Sequence, residues 1–100
     1  MGADVSLDQA YNAARLTTLA ILSSLKRKGV DLDTVRWIKA LGMVDTAPGF
    51  NQTPAVINGF SDLILELYGE DQGAHARSAI GVAELPFNIS VELEATVEIA

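Results

Sequence analysis

HARSAIGVAELPFNISVELEATVEI, residues His75 to Ile99, holds two extended segments separated by a proline. From Ser90 onward the side chains alternate. Val91, Leu93, Ala95, Val97 and Ile99 fall on one face, and Glu92, Glu94, Thr96 and Glu98 on the other. A period of two is the mark of a strand with one buried face. Residues 76–83, ARSAIGVA, read as a strand of small residues, and Pro86 interrupts the chain between the two.

Upstream, Thr53-Pro54 is a helix cap followed by proline at the first helical position, where its missing N–H does no harm. Val56, Ile57, Phe60, Leu63, Ile64, Leu67 and Tyr68 then recur in steps of three and four, so a helix is expected over 54–68. Gly69 ends it, and 70–74 reads as a loop. Residues 34–44, TVRWIKALGMV, are rich in β-branched, aromatic and large apolar side chains and lie between turn-like segments. Apolar residues at both parities suit a strand covered on both sides. Arg36 and Lys39 leave a helical reading open. Ser6 and Gln9 have the spacing of a capping box, and Leu7, Tyr11, Ala14, Thr18, Ile21 and Leu25 share one helical face. A helix over 7–28 follows, closed by Lys26-Arg27-Lys28 and by Gly29, which tolerates positive φ. The expected order is α-β-α-β-β, an α+β domain.

A net charge of −6 argues against a nucleic-acid surface, since phosphate binding needs clustered Lys and Arg. The single basic cluster sits where a helix end can use it. With no cysteine, disulfides, zinc thiolates and cysteine nucleophiles are excluded. The first ten residues lack the basic and apolar regions of a signal peptide, and no apolar run approaches the ~20 residues of a membrane span. A cytoplasmic protein is the default.

The chemical inventory is thin. The single histidine, His75, has no second histidine or cysteine with which to share a metal, and it reads as a solvated loop residue before a strand. Ser78 has no triad. Two features stand out: Arg77 at the start of a strand of small residues, and Glu92, Glu94 and Glu98 on one strand face. They describe either a wet sheet face, or a surface packed on another subunit that arranges a guanidinium and a carboxylate for a ligand. A planar guanidinium is suited to gripping a carboxylate through paired hydrogen bonds.

Ala76-Arg77-Ser78, a short strand, Leu85-Pro86, and Val91-Glu92-Leu93-Glu94-Ala95 together resemble the signature of the RidA/YjgF family, an older name for which is L-PSP endoribonuclease. Val56-Ile57-Asn58 is similar to the family's V-N pair at the start of its second helix. The resemblance covers nearly the whole chain. It implies a chorismate mutase-like fold of the Bacillus type, with two helices on one face of a mixed sheet. Relatives begin with a strand hairpin, whereas here residues 1–4 lead almost directly into the first helix, so the resemblance implies a single domain, 1–100, shortened at its N-terminus. In the family's sheet, residues 90–99 lie beside 34–44, with 76–83 on the far side. Arg77 and Glu92 are then two strand spacings apart, roughly 10 Å, and the outer edge of 90–99 has no partner.

The activity implied is hydrolysis of reactive 2-imino and 2-enamino acids to 2-keto acids and ammonia, with no metal or organic cofactor. Arg77 matches the arginine that holds the substrate carboxylate, and Glu92 the active-site glutamate. Pro86 and Asn58 match residues beside the site. Ala79 stands where well-known members have a cysteine, which is not the nucleophile. The hairpin carries a tyrosine that closes the pocket in relatives, and Tyr11, in the first helix, does not replace it. The partners implied are two further copies, in a trimer with sheets inward, and a small imine or keto acid bearing a carboxylate. Nucleic acid and membrane are not expected. A non-catalytic ligand-binding protein is the alternative, and an endoribonuclease the third.

Overall fold

The computed structural model describes residues 5–99. The expectation about the start of the chain falls on residues 1–4, outside the described residues. The elements are α1 (Leu7–Arg27), a 3-10 turn (Leu32–Thr34), β1 (Arg36–Asp45), α2 (Thr53–Gly73), β2 (Ala76–Val82), a second 3-10 turn (Pro86–Asn88) and β3 (Val91–Glu98). The sheet order is β2-β1-β3, with β1 parallel to β2 and antiparallel to β3. Both helices lie on one face of the sheet. The chain is therefore α+β with a mixed sheet, in the expected order, and the strand reading of 34–44 holds over the helical one.

Local signals explain most boundaries. Ser6 N donates to Gln9 Oε1 at 2.9 Å and Gln9 N to Ser6 Oγ at 3.1 Å, completing the capping box. At the other end of α1, Gly29 takes φ 87°, and Val30 N returns to Leu25 O at 3.1 Å. Gly69 breaks the helical dihedrals of α2 with φ 72°, yet one more turn follows, and the helix runs to Gly73 instead of ending at Tyr68. Tertiary bonds hold that turn: Gln72 Nε2 donates to the carbonyls of Asp33 and Val35, and Arg36 reaches Asp71 O.

β1 reads apolar at both parities for a specific reason. Its pairing with β3 shifts register between Trp37 and Lys39. Trp37 is buried on the helix side, and after the irregularity Ala40, Gly42 and Val44 return to that side. Among the described residues nothing covers the opposite face, contrary to the two-sided reading. Leu41 and Met43 are half-buried there, while Ile38 and Ile80 are each 44% exposed.

The core consists of Trp37, Val35, Ala40 and Val44 of the β1 segment, Val91 of β3, Val56, Ile57, Phe60 and Ile64 of α2, and Ala10, Ala14 and Leu22 of α1. Trp37 meets Phe60 and Tyr68 edge-to-face, each at a centroid distance of 5.7 Å. The helices touch closely at Gly59, where a Cβ would run into the Tyr11 carbonyl and the Ala14 methyl of α1. Alanine is ordinarily better than glycine inside a helix by ~1 kcal/mol. Here the collision is with backbone and outweighs that gain, so Gly59→Ala should destabilise by about 1–3 kcal/mol. The midpoint of urea unfolding measures it; an unchanged or raised midpoint would show that the helices can separate without cost.

Candidate functional site

α2 and the leading edge of β2 build the site. Arg77 pairs in register with Ala40, a buried residue of the helix-facing side, so its side chain leaves the sheet toward α2. There NH1 donates to Ser61 Oγ at 3.0 Å, and NH2 lies 3.4 Å from the carbonyl of Pro54. Ser61 is also 2.9 Å from Nε2 of His75, whose Nδ1 lies 2.6 Å from the Gly73 carbonyl. A carbonyl can only accept, so Nδ1 carries the hydrogen and Nε2 of the neutral ring accepts from the Ser61 hydroxyl. Arg77 can only donate. The row runs in one direction, Arg77 to Ser61 to His75 to Gly73.

His75 is therefore not the solvated loop residue its sequence position suggested. It is half-buried, with its ring edge-to-face against Phe60 at 5.3 Å. The turn beyond Gly69 explains this, because it carries the chain to Gly73, whose carbonyl fixes the imidazole. Ser61 was not singled out by sequence reasoning either. It is buried in the middle of α2, beside Phe60 and one turn from Asn58.

These side chains line a cleft of about 310 Å³ that includes Asn58, Ser61, Asp62, Leu65, His75 and Arg77. Tyr11 of α1 reaches its rim and donates its hydroxyl to Asp62 Oδ2 at 2.7 Å. That bond, then burial, then the Asp62 charge push the Tyr11 phenol above its ordinary pKa. No group of three or more His, Asp or Glu side chains that could hold a metal occurs among the described residues.

The other sequence candidates lie elsewhere. Glu92 pairs with Met43 and Glu94 with Leu41, on the face opposite the helices. Arg77 is level with Ala95, since both pair with Ala40. Glu92 is thus two strand spacings across from Arg77, about three residues or ~10 Å further along the strands, and on the opposite face. The two do not meet within one chain. Pro86 lines a separate recess with Glu84, Leu85 and Phe87. Of the four sequence candidates, the structure brings together Arg77 and Asn58. Glu98 has a local partner, Arg36, at 3.9 Å.

No family model matches the chain. It is 41% identical over 100 residues to Protein TCP17 of Trypanosoma cruzi, covering 99% of this chain and 62% of that protein. Among solved structures it superposes with TM-score 0.93 on the Agrobacterium tumefaciens protein Atu1372, of unknown function, at 44% identity over all of this chain and 65% of that one. It superposes with TM-score 0.90 on a "putative endoribonuclease" from Shewanella oneidensis, at 28% identity over 98% of this chain and 65% of that one. The chain therefore spans between 62% and 65% of the length of these relatives. The fold matches that of the endoribonuclease-like neighbour.

The Tyr11–Asp62 bond is open to a direct check. Asp62→Ala removes both acceptor and charge, so Tyr11 should ionise closer to its ordinary range. Ultraviolet difference titration of the tyrosines reads this, and an unaltered curve would mean that the bond is not made in solution.

Proposed function

We propose that the chain is a RidA/YjgF-type subunit that hydrolyses reactive 2-imino and 2-enamino acids to 2-keto acids and ammonia. The observation that carries this reading is Arg77, a guanidinium held at the wall of a cleft by Ser61 and the Pro54 carbonyl. Those two bonds orient the guanidinium and leave N–H groups for a carboxylate. Asn58, on the same wall, offers both a donor and an acceptor.

An imine is already activated toward water, so a held carboxylate and a positioned water supply much of the rate. Glu92 serves as the carboxylate that orients this water. Because it faces away from Arg77 in its own chain, it does so from a neighbouring copy. That fits a trimer whose open sheet faces pack inward, covering Leu41, Met43 and Ile80. Similarity to a "putative endoribonuclease" raises ribonuclease activity as a second reading. The excess of acidic residues and the lack of a basic stripe weigh against it. A ligand-binding protein without turnover is the remaining alternative.

Arg77→Ala should lower ammonia release from freshly generated 2-iminobutanoate by about 100-fold or more, with the melting temperature little changed, because each lost kcal/mol of carboxylate binding compounds with lost alignment. Arg77→Lys should recover little of it, since an ammonium lacks the fork. Suppression of semicarbazone formation measures turnover. Wild-type turnover in Arg77→Ala would end the assignment, as would cleavage of RNA by nuclease-free protein in place of deamination. For assembly, light scattering should give a trimer at micromolar concentration, and a stable monomer would leave Glu92 without a role.

A further inference from the structure

The Ser61 hydroxyl departs from what serine does inside a helix. In α1, Thr17 and Thr18 turn their hydroxyls back onto the carbonyls four residues earlier, Ala13 and Ala14, at 2.9 and 2.8 Å. That is the ordinary local solution for a helical hydroxyl. Ser61, in the interior of α2, instead points off its helix into the gap between Arg77 and His75. One further bond and one packing contact secure the arrangement: the Gly73 carbonyl fixes the imidazole tautomer, and Phe60 packs against its ring.

We propose that Ser61 and His75 form a proton relay serving the Arg77 cleft, in which His75 takes, through the Ser61 hydroxyl, the proton released by the attacking water. This rests on the deaminase reading of the site. It differs from that reading in placing the proton acceptor in the same chain as Arg77. Ser61 Oγ accepts from Arg77 and donates to His75, which leaves one lone pair for a hydrogen of water in the cleft. As the water oxygen bonds to the iminium carbon, the C=N π pair moves to nitrogen. The water proton passes to Ser61 Oγ while the Ser61 proton passes to Nε2, giving a neutral carbinolamine and an imidazolium. The reverse transfer then protonates the amine nitrogen. The C–N bond breaks with its electron pair on nitrogen, and the carbinol O–H supplies the last proton. Iminium and water have become keto acid and ammonium, and serine and histidine are restored.

A histidine is suited to this because it changes charge near neutral pH. The charged and titratable groups facing it are Arg77 from β2, Asp62 and Glu70 from α2, and, through Asp62, Tyr11 from α1.

His75 is the chain's one histidine, so its imidazole nitrogens can be observed without assignment ambiguity. Nitrogen-15 NMR of the wild-type chain should show hydrogen on Nδ1 and an accepting Nε2 at neutral pH. His75→Gln keeps a side chain that can bond to Ser61 but holds no transferable proton. It should lower kcat about 100-fold, leave KM nearly unchanged because Arg77 is still anchored, and abolish the acid limb of the kcat/KM pH profile. Ser61→Ala should lower kcat similarly and also raise KM, because Arg77 loses an anchor. An Nε2–H tautomer overturns the relay whatever the kinetics. So does a His75→Gln enzyme with wild-type kcat and pH profile, in which case the deaminase reading stands. A wild-type chain that releases no ammonia from 2-iminobutanoate fails the deaminase reading itself, and the relay falls with it.

Discussion

Four rings in edge-to-face contact, Tyr68, Trp37, Phe60 and His75, connect the centre of the sheet to the rim of the cleft. Each such pair contributes about 0.5–1.5 kcal/mol beyond the apolar area it buries, but the geometric consequence matters more. Trp37 fixes both the early and the late part of α2 against β1. Phe60, on the early part, sets the helix rotation that turns its neighbour Ser61 toward β2. The same ring backs the His75 imidazole. The core and the site are therefore not separable layers, and a loosened Trp37 would misplace the Ser61 hydroxyl before it unfolded the chain.

The sheet register decides which charged groups can cooperate. Pairing of Arg77 with Ala40 commits the guanidinium to the helix side, and pairing of Glu92 with Met43 commits that carboxylate to the other. A strand has no intermediate choice, because a one-residue slip would expose Val91, Leu93, Ala95 and Val97 together. The open face carries Glu92 and Glu94 next to half-buried Leu41 and Met43, a mixture that is neither a good wet surface nor a good core. Packing against another copy, as in the proposed trimer, would cover that face, and the same step would bring a carboxylate to a cleft that lies on the far side of its own sheet.

Elements governed by local rules were legible in the sequence: the Ser6–Gln9 capping box, the Gly29 terminator, proline at the start of α2, and the alternation of β3. Arg77 stood out as a cation in a strand of small residues and again through a motif, and Asn58 through the motif alone. What escaped depends on contacts distant in sequence. The register shift after Trp37 shows up in sequence only as an untidy strand pattern. Gly69 does take positive φ, but bonds from Gln72 and Arg36 hold a further helical turn that no terminator rule anticipates. Once that turn is overlooked, residues 70–74 become a loop and His75 becomes a solvated residue at its end. Ser61 reads as a polar gap in an apolar stripe. One available clue was that this gap lies on the face of α2 shared with Phe60 and Ile64, where a hydroxyl needs a partner.

The direction of the hydrogen-bond row follows from its two ends. Arginine has no lone pair to offer and a carbonyl has no hydrogen, so everything between them must pass hydrogens from Arg77 toward Gly73. A neutral His75 satisfies this, with the Ser61 hydrogen turned inward to Nε2. An imidazolium does not, since both its nitrogens donate. Ser61 must then accept from Arg77 and His75 together and turn its own hydrogen out into the cleft. The charge of the imidazole is thereby coupled to the direction of a single O–H bond. With His75 neutral, the cleft is offered a lone pair that receives hydrogen from water. With His75 charged, it is offered a hydrogen that can be given to a departing amine. In the proposed relay, hydration of an imine and expulsion of ammonia would use these two faces of the hydroxyl in that order, the proton taken in the first step turning Ser61 over for the second.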